Sequence, residues 1–151
     1  MFCKKKDIDL IILKNLKLEG IKMNFVSVEQ QKRFLEIKEQ MPFNLKGNDK
    51  LLSIAYIMSS SNELQTKLQP YIQWDKGYDY EKMIREVPFS KEELVLVKAS
   101  VTFFDNGVIL QFSEVFTELE QTEREIVLNA ADIRYSKRDI YEPGEGNLYT
   151  K

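Results

Sequence analysis

The chain has 151 residues, 43% of them hydrophobic and 30% charged, with a net charge of −2 and no histidine. That length is about one domain's worth. The composition is that of a globular rather than a disordered protein, and the mild acidity gives no basic footprint for nucleic acid.

The missing histidine removes the commonest general base and the commonest transition-metal ligand. With Cys3 as its single cysteine the chain has no internal disulfide and too few ligands for a structural zinc site. Cys3 lies beside Lys4, Lys5 and Lys6, which would lower its pKa, but an incidental thiol near the terminus is the simpler reading. No apolar run approaches the ~20 residues of a membrane span, and Lys14 and Lys17 interrupt Leu10, Ile11, Ile12 and Leu13 too early for a signal-peptide core. A cytoplasmic location is expected.

Residues 1–22 carry six lysines against Asp7, Asp9 and Glu19, a net charge of +3, which leaves −5 for residues 23–151. Ile8, Ile11, Ile12 and Leu16 fall near helical spacing and could form an arm. The alternative is genetic: Leu18-Glu19-Gly20-Ile21-Lys22-Met23 can be encoded with GGAGG a short way upstream of an ATG, the pattern of a bacterial ribosome-binding site. The second alternative is the expectation, with residues 1–22 a leader outside the natural protein and Met23 its start. A native peptide spanning Lys22 and Met23, found by mass spectrometry, would exclude it.

From Met23 onward, helix signals recur. Ser27-Val28-Glu29-Gln30 has capping-box spacing and opens a helix with Phe34, Ile37 and Met41 on one face, which Pro42 stops. Asn44 to Asn48 reads as a turn, and Asp49 is expected to cap an apolar second helix from Lys50 to about Ser59. Asn62 is expected to cap a short third helix that Pro70 ends. Residues 71–89 read as an irregular connector with one helical turn around residues 81–85. Ser90-Lys91-Glu92-Glu93 is the clearest helix start, followed by Leu94, Val97, Val101 and Phe104 at helical spacing and by Asn106-Gly107 as a C-terminal cap. Val108, Ile109, Leu110, Gln111 and Phe112 form either a brief strand or the lead into a helix over residues 113–119. Thr122-Glu123-Arg124-Glu125 is expected to open a last helix with Ile126, Ala130 and Ile133 inward. Pro143, Gly144 and Gly146 mark residues 137–151 as a flexible tail.

The expected fold is all-α: a bundle of about five helices over residues 23–136, with at most one short β element near Val108 to Phe112. No cofactor and no metal site is expected, since the glycines stand alone and no serine is placed beside a base. Glu92 with Glu93, Glu118 with Glu120, and Glu123 with Glu125 lie at helix starts and on solvated faces, where acids are favoured without any catalytic role. The candidate partner-binding residues are Tyr71, Trp74, Tyr78 and Tyr80. Such rings give rigid contact area at low entropic cost. The structural alternative has them pinning the connector to the helices.

Asn24-Phe25, then Val28-Glu29-Gln30-Gln31-Lys32-Arg33-Phe34, Asn48-Asp49-Lys50 with Ala55-Tyr56-Ile57, the Ser90 helix ending at Asn106-Gly107, and residues 127–135 together carry a resemblance. From Met23 to Ser136 the chain resembles an uncharacterised domain-of-unknown-function family of small proteins from Gram-positive bacteria and their phages. Gln31 stands where that family's pattern has a histidine. The resemblance implies a phage or prophage setting, but no mechanism. The expected function is a non-enzymatic accessory protein that contacts an unknown host or phage protein. The alternatives are a nucleic-acid-associated regulator, which would need Lys32, Arg33, Lys137 and Arg138 on one face, and a small carboxylate enzyme using a divalent cation, which would need three acids in one cleft.

Overall fold

A computed structural model describes residues 23–105 and 110–135. The expected leader and tail, the Asn106-Gly107 cap, and Val108 with Ile109 therefore lie outside the described residues. Helix α1 (Val28–Gln40) begins where the sequence places it, with the Ser27 hydroxyl accepting a hydrogen bond from the Gln30 amide at 3.0 Å. It ends at Met41, which is forced into extended backbone (φ −73°, ψ 145°) by the proline that follows.

A 3₁₀ turn (Phe43–Leu45) leads to α2 (Asp49–Met58). Its cap is Asn48, one residue before the expected Asp49: the Asn48 carbonyl oxygen accepts from the amides of Lys50 at 3.0 Å and Leu51 at 3.2 Å. Asp49 is instead the first helical residue, an acid at the positive end of the dipole. The same one-residue shift occurs at α3 (Asn62–Leu68), where Ser61 rather than Asn62 is the cap.

The expected connector is more ordered than its sequence suggests. After a 3₁₀ turn (Gln69–Tyr71), β1 (Ile72–Gln73) pairs antiparallel with β2 (Gly77–Tyr78), in the register Ile72 to Tyr78 and Gln73 to Gly77. Asp79 then caps α4 (Tyr80–Glu86) through the Lys82 amide. This is the β element among the described residues, and of the expected run at Val108 to Phe112 only Leu110 to Phe112 are described. There Leu110 and Gln111 are irregular, and Phe112 opens α6 (Phe112–Glu118) behind a Gln111/Glu114 capping box.

Helix α5 (Lys91–Asp105) carries the expected box. The Glu93 amide donates to the Ser90 hydroxyl at 3.1 Å, and the Ser90 amide donates to the Glu93 carboxylate at 2.9 Å. Its buried face is wider than the predicted stripe. Val95, Leu96, Val97, Ala99, Ser100, Val101 and Phe103 are buried, whereas Leu94 and Phe104 are half-buried. Helix α7 (Gln121–Tyr135) starts two residues early, with the Arg124 amide bonded to the Glu120 carbonyl, so Thr122 sits in the first turn. Ile126, Ala130 and Ile133 face inward as expected.

The described residues are mostly helix, in seven α-helices and one two-stranded sheet, as the all-α reading anticipates. Helix α2 is the hub. Leu51 to Met58 are all buried, because α2 packs along α7 and α5, with α1 and α3 on its remaining sides. The chain ahead of α1 is bolted to the same seam. Phe25 packs on Phe34 and Tyr56 with ring centroids 5.3 and 5.6 Å apart, the Tyr56 hydroxyl donates to the Asn24 carbonyl, and Asn129 of α7 bonds both Asn24 and Tyr56.

Candidate functional site: the aromatic hairpin and its clefts

The hairpin owes its shape to two residues. The Lys76 amide closes the turn on the Gln73 carbonyl at 2.9 Å, and Gly77 follows at φ +100°, a conformation that side chains with a Cβ rarely adopt. A Cβ at Gly77 would also lie 2.4 Å from the Phe104 ring, so glycine lets β2 rest directly on the end of α5. That contact puts all four candidate rings, Tyr71, Trp74, Tyr78 and Tyr80, against the core, each of them half-buried.

The surroundings differ from ring to ring. The Tyr71 hydroxyl donates to the Glu86 carboxylate at 2.9 Å, tying the start of the hairpin to the end of α4, and that bond holds its phenol above the ordinary value. Burial pushes the Tyr78 phenol far above its ordinary value, and Ser100 opposes the shift only in part. The Tyr78 hydroxyl has no hydrogen bond of normal geometry, and the nearby Ser100 hydroxyl donates to the Val97 carbonyl at 2.7 Å. Trp74 lies in a cleft of about 340 Å³ whose walls include Leu45, Leu51 and Phe104, with Lys50 and Asp75 at its rim. Phe43, one residue before that wall begins, is 92% exposed. The expected aromatic segment is thus a packed hairpin with exposed edges. Among the described residues the most accessible aromatic ring is Phe43, outside the hairpin in the turn between α1 and α2, which the sequence reading does not single out.

A second cleft, of about 310 Å³, gathers Glu63, Glu92, Glu93 and Glu123 over Leu96 and Ile126. Convergence of three acids is what a carboxylate enzyme would need, but two of the four are already engaged. Lys67 pairs with Glu93 at 2.7 Å and with Glu63 at 3.1 Å. Burial pushes the Glu93 carboxyl up, but the Lys67 and Ser90 bonds outweigh it and hold the carboxyl below its ordinary value. Among the described residues, no group of three or more acids or cysteines is arranged to hold a metal ion.

The nucleic-acid alternative fares no better at Arg33. Its guanidinium donates to the carbonyls of Ser59 at 2.8 Å and Ser60 at 3.3 Å, satisfying the C-terminal end of α2 rather than facing a phosphate. Lys137 and Arg138 lie outside the described residues. Gln31 is buried in α1 with its amide nitrogen unpartnered. No described helix is long and apolar enough to cross a membrane. No family model matches the chain, and no curated protein or solved structure matches it.

Proposed function

We propose that this chain is a non-enzymatic accessory protein that acts in the cytoplasm by contact with another protein. The surface assigned to that contact is the edge of the aromatic hairpin. The observation that carries the reading is the cleft beside Trp74, apolar along Leu45, Leu51 and Phe104, together with the almost fully exposed Phe43, which directly precedes Asn44 of its lining in the chain. A large apolar ring left in water next to an apolar cleft is the kind of anchor that binding surfaces use. Engagement of Lys67 with Glu63 and Glu93 weighs against the carboxylate-enzyme alternative. The resemblance over Met23 to Ser136 supplies the setting, a phage or prophage, with a host or phage protein as the partner.

The test is capture of partners from the native host by the tagged chain and by Phe43→Ser and Trp74→Ala variants of equal helicity. The reading expects at least one protein held by the parent and lost from both variants. Identical captures by all three would overturn it.

A further inference from the structure

Helix α7 presents a second surface, independent of the hairpin. Its inward face is set by Ile126, Val127, Ala130 and Ile133. Opposite that face, at i, i+4 and i+8 spacing, lie Arg124, Leu128 and Asp132, with Tyr135 completing the row. Leu128 is 46% and Tyr135 53% exposed, and the neighbouring α6 adds Phe112 at 72% and Phe116 at 45%. Phe112 and Phe116 are paired at 5.1 Å, and the Arg124 guanidinium lies 5.9 Å from the Phe116 ring. The Nε of Arg124 is buried yet makes no hydrogen bond. Asp132 is exposed and makes no ion pair among the described residues.

We infer that the occupant of this face is a second copy of the chain, packed α7 against α7 in antiparallel fashion about a twofold axis at Leu128. The charge order on the helix carries the inference. A twofold interface is self-complementary, so residue i meets j and j meets i. About Leu128, residue 124 faces residue 132 of the other copy. Each Arg124 therefore meets an Asp132 of the other copy, twice per dimer, on either side of an apolar centre. Glu125 meets Ala131 and Tyr135 meets Gln121, so no like charges oppose each other. A parallel arrangement would set Arg124 on Arg124 and Asp132 on Asp132, which selects the antiparallel one. The Phe112 and Phe116 rings border the row and would extend the apolar contact beyond the helix pair.

The test uses the full chain in sedimentation velocity over a concentration series. The parent is expected to self-associate to a dimer. Arg124→Asp and Asp132→Arg, each alone, place like charges in contact and should weaken association by about tenfold or more. An equimolar mixture of the two variants restores both ion pairs and should recover the dimer as a heterodimer. Should Arg124→Asp fail to fold, Asp132→Arg on its exposed position decides alone, with association weakened at ~0.1 M salt and partly recovered at ~1 M as repulsion is screened. A parent that stays monomeric, single variants that dimerise like the parent, or a mixture of folded variants that stays monomeric would each overturn the inference. Because neither residue touches the hairpin, these outcomes are separable from capture through Phe43 and Trp74.

Discussion

Gly77 combines two demands that no other residue type meets: a φ of +100° and a backbone laid against the Phe104 ring. Replacing it with alanine forces either the strained backbone or the ring to yield, so Gly77→Ala should cost roughly 1–3 kcal/mol. Gly47 is the natural control, because a Cβ there meets nothing within 4 Å. Equilibrium denaturation of Gly77→Ala and Gly47→Ala should therefore separate them clearly, and equal stabilities would show that the hairpin adjusts without strain. The dipeptide Lys76-Gly77 hints at a turn in the sequence. The Phe104 contact does not show there, since it joins residues 27 positions apart.

At the scale of elements, the caps were the most legible part of the chain because their chemistry is local. Ser27 and Ser90 each have a hydrogen-bonding partner three residues on, so spacing alone locates them. Where two cap-competent residues stand in a row, as Asn48-Asp49 and Ser61-Asn62 do, propensity cannot choose, and the reading slipped by one residue at both. The hairpin escaped for the opposite reason: strands of two residues are too short to show an alternating pattern. The exposure of Phe112, Phe116 and Phe43 was also hidden, because an apolar residue reads as core until its neighbours are known. Glu93 links a cap to an ion pair and so makes the α5 start sensitive to acid. Its folded carboxyl lies below the ordinary value of 4.5, so its stabilisation is fully present above that pH and is lost as the pH falls through the folded value. Thermal melts should show a midpoint that declines below about pH 4.5, with part of the decline absent in Glu93→Gln. An unchanged pH profile in that variant would remove Glu93 from the account. Partial solvent access to the half-buried Lys67–Glu93 pair, and the screening it brings, keep the effect modest.

Across the whole molecule, Tyr56 is the point at which three distant parts of the chain meet. Its ring lies in α2 at the centre of the core, its hydroxyl donates to the Asn24 carbonyl ahead of α1, and Asn129 of α7 bonds that hydroxyl at 2.9 Å. Tyr56→Phe removes both bonds of the hydroxyl but leaves Asn24 exposed and still bonded to Asn129, so it should destabilise by roughly 0.5–1.5 kcal/mol. Tyr78→Phe, which removes a buried hydroxyl that has no partner, should be neutral or slightly stabilising. A denaturant midpoint that falls equally in both would contradict the assignment of the network. The same closure bears on how the protein comes to be made. Helix α2 leaves the ribosome well before α7 has been translated, and at ~5–20 residues per second the wait is on the order of several seconds. Throughout it, α2, the most apolar of the longer described helices, lacks the partner along which it packs most extensively. The seam between Asn24 and Tyr56 likewise lacks its Asn129 bonds until nearly the last described residues arrive. Nascent chains halted before residue 121 should therefore remain protease-sensitive through α2, and a chaperone that shields short apolar helices during synthesis would act on this stretch first.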